Sequence, residues 1–386
     1  MIQNGFSYLA LLVFLAGGLK ILEERVKGKW FEYVPAVVCL YLLTMLLGSS
    51  GLWEMNEEIR QLSAALQANL MPAMLFLMLL KSDLRRIVRL GGRLLLAFFI
   101  ASFSIAAGFI LTFALFRSLL EPDSWKAFAA LCGSWIGGSA NMMALKGMLE
   151  VPNAQFGYTL LMDSVDYSLW LMVLLALVPY AHKFNRWTRA DSGVLEEITR
   201  KLEREAEHDR RHITFGDLIF LLGLGLGVAA VAQLAGSWLP VSDYIRSSTW
   251  TVLLVTVAGC LLAMTPIGKL PGTLELSNTM LYILIALIGS MVNLSELQAA
   301  PLYIALGLVI IAFHALIMAG AARLLRFDLF TCGVASLANI GGVASATIIA
   351  ATYSPVLIPV GVLMAMLGFI TGTGVGMLVG RILSLL

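Results

Sequence analysis

The sequence contains few charged residues. Asp, Glu, Lys and Arg make up only 13% of its 386 residues, whereas 59% are hydrophobic. Soluble domains are about 25% charged and about 45–50% apolar, so this composition is typical of membrane proteins. The net charge of +2 is too small for the electrostatic attraction on which nucleic-acid binding depends. We therefore expect the lipid bilayer, and no nucleic acid, as a partner.

Patterns that mark several other protein classes are also missing. No Lys or Arg precedes the first apolar run, which starts at Gly5, so a cleaved secretory signal is not expected. The four cysteines lie in apolar stretches and are expected to be buried free thiols. There is no HExxH, GxSxG or P-loop motif and no visible nucleophile–base set. We therefore expect neither an enzyme nor a resident cofactor.

Long apolar runs occupy most of the chain instead. A helix needs about 17–25 apolar residues to cross a bilayer. Two apolar stretches, 127–149 and 328–352, are interrupted by Gly-Gly pairs. Ten further runs are predicted to be spans, one of them short and containing Pro72: 5–22, 32–50, 66–80, 94–118, 155–182, 213–236, 249–267, 276–292, 301–325 and 356–382.

One long polar segment, residues 183–213, divides the chain into halves of similar length. We therefore divide the chain into a first repeat (1–182), a charged linker (183–213) and a second repeat (214–386). Lys and Arg concentrate in cytoplasmic loops of membrane proteins. The basic flanks of the linker, and the basic loops after the first and third spans, place all three on the cytoplasmic side of a bacterial inner membrane.

This charge distribution constrains the topology of the interrupted stretches. If 127–149 crossed the membrane fully, the basic linker would lie outside. If it is a re-entrant hairpin that enters from outside, the linker is cytoplasmic and 328–352 enters from the cytoplasm. We therefore predict an all-α polytopic protein with two inverted-topology repeats, each of five spans and one hairpin. A broken helix that crosses, with one other span miscounted, is the alternative.

The two interrupted stretches resemble each other. IGGSANMMALKG occupies 136–147 and IGGVASATIIAA occupies 340–351. Glycine lets a backbone leave helical geometry, and the freed N–H and C=O groups suit ions and polar solutes. Broken helices in matching positions of inverted repeats point to a transporter binding site. Simple helix packing is the alternative, and it is the interpretation favoured for the pairs Gly223–Gly227, Gly372–Gly376 and Gly376–Gly380.

Residues around the two breaks are expected to bind the solute. The first hairpin would line the site from outside and the second from the cytoplasm. The predicted substrate-binding residues are Ser134, Gly137, Gly138, Ser139 and Asn141 in the first hairpin, and Asn339, Gly341, Gly342, Ser345 and Thr347 in the second.

The helix after the first hairpin contains two acidic residues, in the sequence MDSVDYS at 162–168. Asp163 and Asp166 are three residues apart and share a helix face. A carboxylate inside the membrane indicates an ion or proton path, and hard cations such as Na⁺ prefer oxygen ligands. Asp163, Asp166 and Ser164 are therefore predicted to form a Na⁺ or proton site, with Asp163 as the coupling carboxylate. Solvation of Asp166 near the membrane surface is the alternative.

Two other ionisable residues lie in apolar segments. Lys146, near the end of the first hairpin, could pair with a substrate carboxylate or with Asp163, but extension to the membrane surface is favoured. His314 is a lone histidine on a span, and such a residue is more often a satisfied packing element.

The segment CGSWIGGSANMMAL at 132–145, followed by an Asp-bearing helix, resembles the YjcL-like bacterial membrane proteins, a family defined as a domain of unknown function. More distantly, the inverted halves with Gly-Gly hairpins resemble the sodium-coupled glutamate symporters and the sodium/proton antiporter and bile-acid symporter superfamily. That resemblance implies a core domain carrying the hairpins, a scaffold domain that often dimerises, and elevator-like movement of one against the other. In the antiporters an acidic pair follows the broken helix, and Asp163 and Asp166 match that placement.

The sequence therefore predicts a secondary active transporter, a Na⁺- or H⁺-coupled symporter of a small organic solute such as an amino acid, a peptide or an organic anion. A cation/proton antiporter is the first alternative. The aspartate pair favours antiport, whereas the many neutral oxygens of the hairpins favour symport. A channel-like membrane protein without coupled transport is the second alternative.

Overall fold

The computed structural model describes residues 1–25, 36–88, 90–190, 212–241, 247–292, 300–354 and 357–386. Most of the predicted linker, residues 191–211, lies outside this description. Within the described residues, the only β pairing is a single bridge between Ile2 and Trp53.

The described residues form sixteen α-helices. Those before the linker are α1 (Gly5–Arg25), α2 (Ala36–Ser49), α3 (Glu57–Leu79), α4 (Leu84–Val88), α5 (Gly92–Phe116), α6 (Ser124–Gly137), α7 (Ser139–Leu149), α8 (Asn153–Leu177) and α9 (Ala181–Thr188). Those after it are α10 (Phe215–Ser237), α11 (Ser247–Ala263), α12 (Thr273–Gly289), α13 (Ala300–Leu325), α14 (Leu329–Ile340), α15 (Gly342–Tyr353) and α16 (Ile358–Leu383). If the short helices α4 and α9 are set aside, both halves have the same order of elements. Each has four longer helices, then a pair of short helices and then a last long helix. Inversion of one half relative to the other stays a prediction.

Seven helical segments of the described chain are long and apolar enough to cross a membrane: Gly5–Arg25, Glu57–Leu79, Gly92–Leu119, Asn153–Thr188, Phe215–Ser237, Ala300–Leu325 and Ile358–Leu383. Three other predicted spans correspond to α2, α11 and α12, which have 14, 17 and 17 described residues. The described chain is thus all-α and has the helices of a multi-pass membrane protein.

Helix α3 begins well before the apolar run that predicted it. Asn56 caps it, because the Asn56 side chain accepts a hydrogen bond from the Ile59 N–H at 3.0 Å. Glu57 and Glu58 lie in the first turn, where acidic groups interact favourably with the helix dipole. Because the first turns of α3 are polar, the apolar run in the sequence starts later than the helix.

The long helices pack in two groups. One group, which we call the hairpin bundle, contains α5–α8 and α13–α16, and the other, the partner bundle, contains α1–α3 and α10–α12. Each bundle takes helices from both halves of the chain, so the halves interlock. Contacts between the bundles include those of α7 with α3 and α11, and those of α8 with α2 and α12.

Both Gly-Gly stretches form helical hairpins. Helices α6, α7, α14 and α15 have 11 to 14 residues, so each is about 16–21 Å long, less than the ~30 Å hydrocarbon core. A Cβ added to Gly133 would overlap the Leu145 side chain, and one at Gly333 would lie 2.8 Å from Ile349 Cδ1. The two helices of each pair therefore run side by side, which excludes a single broken helix that continues in one line.

Helix α16 supports the first hairpin through glycines. A Cβ on Gly372 would lie 2.7 Å from the Gly137 Cα and 2.8 Å from the Gly133 carbonyl oxygen. A Cβ on Gly376 or Gly380 would likewise come within 3 Å of a side chain of the first hairpin. The packing role predicted for Gly372, Gly376 and Gly380 is thus confirmed. The same role for Gly223 and Gly227 is wrong, because a Cβ at either would meet nothing within 4 Å.

Candidate functional site

Each hairpin turns at a position whose backbone conformation favours glycine. Gly138 has φ 84° and Gly342 has φ 65°, values that L-residues rarely adopt. A Cβ on Gly138 would come no closer than 3.4 Å to the Phe369 ring, and one on Gly342 would meet nothing within 4 Å. The requirement at both tips is therefore conformational rather than steric.

Helix α8 contacts the tip regions of both hairpins through residues one turn apart. Asp163 Oδ2 accepts a hydrogen bond of 3.4 Å from the Ser134 hydroxyl of the first hairpin. The side chain of Tyr167 interacts with that of Ser345 in the second hairpin, and its ring lies against Gly341. We call this surface the Asp163–Tyr167 face and regard it as the candidate site.

The Asp163–Tyr167 face presents oxygen atoms. Asp163 and Tyr167 are both half-buried, and the site also has the hydroxyls of Ser134 and Ser345. In the part of the chain that the structure describes, no three His, Cys, Asp or Glu side chains come close enough together to hold a metal ion. A cation bound here would therefore rely on one or two carboxylates and on neutral oxygens, a combination that suits a hard monovalent ion or a proton.

Asp166 lies in a different environment from Asp163. It is fully buried, and neither of its carboxylate oxygens has a hydrogen-bond partner among the described residues. A Cβ added to Gly307 of α13 would overlap Asp166 Oδ2, so the carboxyl group packs directly on that helix. The alternative of a solvated Asp166 is therefore wrong. Burying an unpaired charge costs several kcal/mol, so a proton or a cation would stabilise Asp166 in this position.

Ser164 is buried and lies between the two aspartates in sequence, but its side chain is not joined to their carboxylates. No hydrogen bond connects its hydroxyl with either carboxylate within the described residues, and its carbonyl oxygen accepts from the Ser168 hydroxyl at 2.7 Å. Successive residues of a helix point about 100° apart, which turns Ser164 away from the Asp163–Tyr167 face.

The two asparagines predicted to bind the solute form hydrogen bonds within the hairpin bundle instead. Asn141 and Asn339 are both fully buried. Asn141 Nδ2 donates to the Phe369 carbonyl oxygen of α16 at 3.1 Å. Asn339 Oδ1 accepts from the Ser102 hydroxyl of α5 at 2.7 Å, and Asn339 Nδ2 donates to the Ala335 carbonyl oxygen at 2.8 Å. Both amides therefore attach a hairpin to its bundle.

The other predicted ligands are distributed around the tips. Ser345 Oγ lies 3.1 Å from the Leu337 carbonyl oxygen, so it bridges the two helices of its hairpin. Ser139 begins α7 directly after the first tip, and Thr347 lies on α15; both are half-buried. Gly137 packs against the Gly368 backbone. The structure thus brings Ser134, Gly341 and Ser345 to the Asp163–Tyr167 face, and places Gly137 in helix packing.

His314 belongs to a buried chain of hydrogen bonds near the second hairpin. Ser104 Oγ donates its single hydrogen to the Ala101 carbonyl oxygen at 2.8 Å, so it must accept from His314 Nδ1 at 2.7 Å. Trp170 Nε1 donates to Ser336 Oγ at 2.8 Å, which leaves the Ser336 hydrogen for His314 Nε2 at 2.7 Å. The network therefore selects the neutral tautomer with its proton on Nδ1, and His314 is a satisfied structural group.

The sequence interpretation missed Tyr167 and Trp135, a fully buried indole near Asp163 whose N–H has no hydrogen-bond partner among the described residues. Tyr167 could have been found, because it lies four residues after Asp163 and four residues make about one helical turn. Trp135 comes from a different helix, and its position depends on how α6 packs on α8.

Comparison with known proteins gives two matches. Residues 10–386 match the family described as "Protein of unknown function (DUF819)". The chain is also 24% identical over 383 residues to the protein named "Uncharacterized membrane protein YjcL" from Bacillus subtilis (strain 168), with 93% of this chain and 92% of that protein covered. The resemblance to the YjcL-like family is therefore confirmed, whereas membership of the wider transporter superfamily stays a prediction.

Proposed function

The chain belongs to the DUF819 family, and we propose that it is a secondary active transporter that couples a small organic solute to Na⁺ or H⁺. The family description assigns no activity, so the proposal rests on the site. One observation carries it: a single face of α8 contacts both hairpins, through Asp163 to Ser134 and through Tyr167 to Ser345. An ion held on that face would affect both hairpins at once, which is what coupling requires.

The coupling ion is proposed to bind at Asp163. The residue is half-buried, and the Ser134 hydroxyl already contacts its carboxylate. Na⁺ and a proton would compete for the same oxygens. The solute would then bind between the hairpin bundle and the partner bundle, where it contacts both.

Transport is proposed to proceed by movement of the hairpin bundle, as the core, against the partner bundle, as the scaffold. Both hairpins and both aspartates belong to the same bundle, so they can move together without rearrangement of the site. The protein would act in this way in the bacterial inner membrane, as a homodimer joined through the scaffold.

A cation/proton antiporter is the second candidate, and Asp166 is the observation that favours it. A fully buried carboxyl group without a described partner, next to a second carboxyl group on the same helix, suits exchange of a proton for a cation.

Purified protein in liposomes distinguishes the candidates. Uptake of ²²Na⁺ and the internal pH are followed with and without a mixture of amino acids, peptides and organic acids. A symporter gives ion flux that depends on the solutes, whereas an antiporter gives proton efflux on a Na⁺ gradient without them. Stepwise conductance in planar bilayers, with no coupled flux, would instead indicate a channel and contradict the proposal.

A further inference from the structure

A cavity lies between the two bundles, away from the Asp163–Tyr167 face. Its volume is about 350 Å³, near the lower end of the range of about 300–1,000 Å³ that small-molecule sites occupy. It is bounded by α7 of the first hairpin on one side and by α3, α10 and α11 of the partner bundle on the other. A ligand in this cavity would therefore touch both bodies that the proposed transport cycle moves.

Lys146 provides the cavity with a positive charge. It lies on α7, lines the cavity and is half-buried. Its Nζ lies 5.7 Å from the centre of the Phe156 ring, and no Asp or Glu among the described residues forms an ion pair with it. Extension of Lys146 to the membrane surface, which the sequence favoured, stays a prediction. A lysine without a carboxylate partner in a half-enclosed cavity is a natural site for an anion.

Neutral hydrogen-bonding groups face the same space. Ser247 and Ser248 line the cavity, and neither hydroxyl forms a hydrogen bond with another described residue. They are the first described residues of α11, and each hydroxyl can donate one hydrogen bond. Gln67, Gln233 and Thr251 complete the polar lining.

We propose that this cavity binds the carboxylate group of a small organic anion, with Lys146 as its charge partner and the hydroxyls of Ser247 and Ser248 as its hydrogen-bond donors. This inference rests on the proposed function, because it names the class of solute that the transporter would take. The apolar remainder of the lining, which includes Met71, Pro72 and Met143, would contact the carbon skeleton of the anion.

Thermal stability of the purified protein tests the inference with simple carboxylates as probes, since a ligand that binds only the folded state raises the melting temperature. The probes are acetate, lactate, succinate and glutamate, each compared with its amide counterpart at constant NaCl. At least one carboxylate should raise the melting temperature and its amide should not. Equal shifts by acid and amide, or no shift by any of the four acids, would overturn the inference.

Three variants locate the effect. Lys146→Met should weaken carboxylate binding about ten- to a hundred-fold, as expected for loss of a charge-assisted hydrogen bond, and Lys146→Arg should retain most of it. Lys126→Met is the matched control, because Lys126 lies on the same hairpin but is paired with Asp123 at 2.9 Å; it should bind like the wild type. Unchanged carboxylate binding in Lys146→Met, or equal loss in Lys126→Met, would contradict the role of Lys146.

The same melting-temperature measurements distinguish failure of this inference from failure of the proposed function. A Na⁺-dependent shift that persists in Lys146→Met and disappears in Asp163→Asn, together with no carboxylate binding, would leave coupled transport standing and remove the anion site. Carboxylate binding through Lys146 without any coupled flux in liposomes would support the anion site and contradict coupled transport.

Discussion

Asp163 and Asp166 lie three residues apart on α8 but meet different surroundings. Asp163 is half-buried and accepts a hydrogen bond from Ser134, whereas Asp166 is enclosed against α13 without a described partner. The first environment already supplies a second oxygen beside the carboxylate, and the second supplies none among the described residues. At the scale of single residues, Asp163 is therefore the better candidate for reversible ion binding.

The variant Asp163→Asn should lose the Na⁺ dependence of solute binding, because it keeps the shape of the side chain and removes the charge. By linkage, Na⁺ should then no longer raise the melting temperature. Asp166→Asn should have a milder effect on Na⁺ binding. The measurement is the melting temperature against Na⁺ concentration at several pH values for wild type and both variants. An unchanged Na⁺ titration in Asp163→Asn would remove this residue from the coupling site.

The hydrogen-bond chain through His314 should contribute to stability rather than to coupling. His314→Phe leaves Ser104 and Ser336 without their shared partner, and each buried polar group left unsatisfied costs about 1–3 kcal/mol. We expect a lower melting temperature with an unchanged Na⁺-dependent shift. His182→Phe is the control, because His182 is exposed and should melt like the wild type. Loss of ion coupling in His314→Phe at normal stability would indicate a direct role in transport.

At the scale of elements, the crossing of α6 and α16 depends on glycine. Gly372→Ala would bring its Cβ 2.7 Å from the Gly137 Cα, so the backbones must separate, which typically costs about 1–3 kcal/mol for an overpacked interior. Gly374→Ala is the matched control two residues away, where a Cβ meets nothing within 4 Å. Gly372→Ala should lower the melting temperature and slow transport. Equal melting temperatures for the two variants would mean that this crossing is looser than the structure indicates.

The hairpins could be predicted from sequence because their causes are local. Two adjacent glycines weaken a helix wherever they occur, and the Lys and Arg distribution favoured hairpins over crossings. The directions of Asn141 and Asn339 could not be predicted in the same way. Whether these amides face a solute or a neighbouring helix depends on the position of α16 and α5, and that information is not contained in the residues around the break.

Helix boundaries show the same limit. Hydrophobicity located the apolar middle of α3, but its first turns are polar and are stabilised by the Asn56 cap. Gly223 and Gly227 have the spacing of a packing motif, yet a Cβ at either would meet nothing within 4 Å in the described structure. A spacing predicts which face could pack, whereas the fold decides whether a neighbour is present.

At the scale of the whole molecule, the cavity at Lys146 lies where the two bundles meet. Its lining comes from α7 on the hairpin bundle and from three helices of the partner bundle. If the bundles move against each other, residues on opposite sides of this cavity must change their separation during every transport cycle. Residues on the same side need not.

A crosslinking experiment tests that movement. With the four native cysteines replaced by alanine, Gln67→Cys on α3 and Met143→Cys on α7 place one thiol on each bundle at the same cavity. A bifunctional thiol reagent that joins them should stop coupled flux, and reduction of a cleavable linker should restore it. Na⁺ should still raise the melting temperature of the joined protein, because Asp163 lies away from the linked residues.

The control pair is Gln67→Cys with Ser248→Cys, since both residues line the cavity but belong to the partner bundle. Joining this pair fills the same space without tying the bundles together. Flux should therefore fall less than in the first pair and should retain its dependence on the ion gradient. Full transport by protein whose Gln67–Met143 pair is completely joined would rule out movement of the bundles against each other. Equal block by both pairs would instead mean that the linker obstructs the solute path, and would leave the cavity as part of that path.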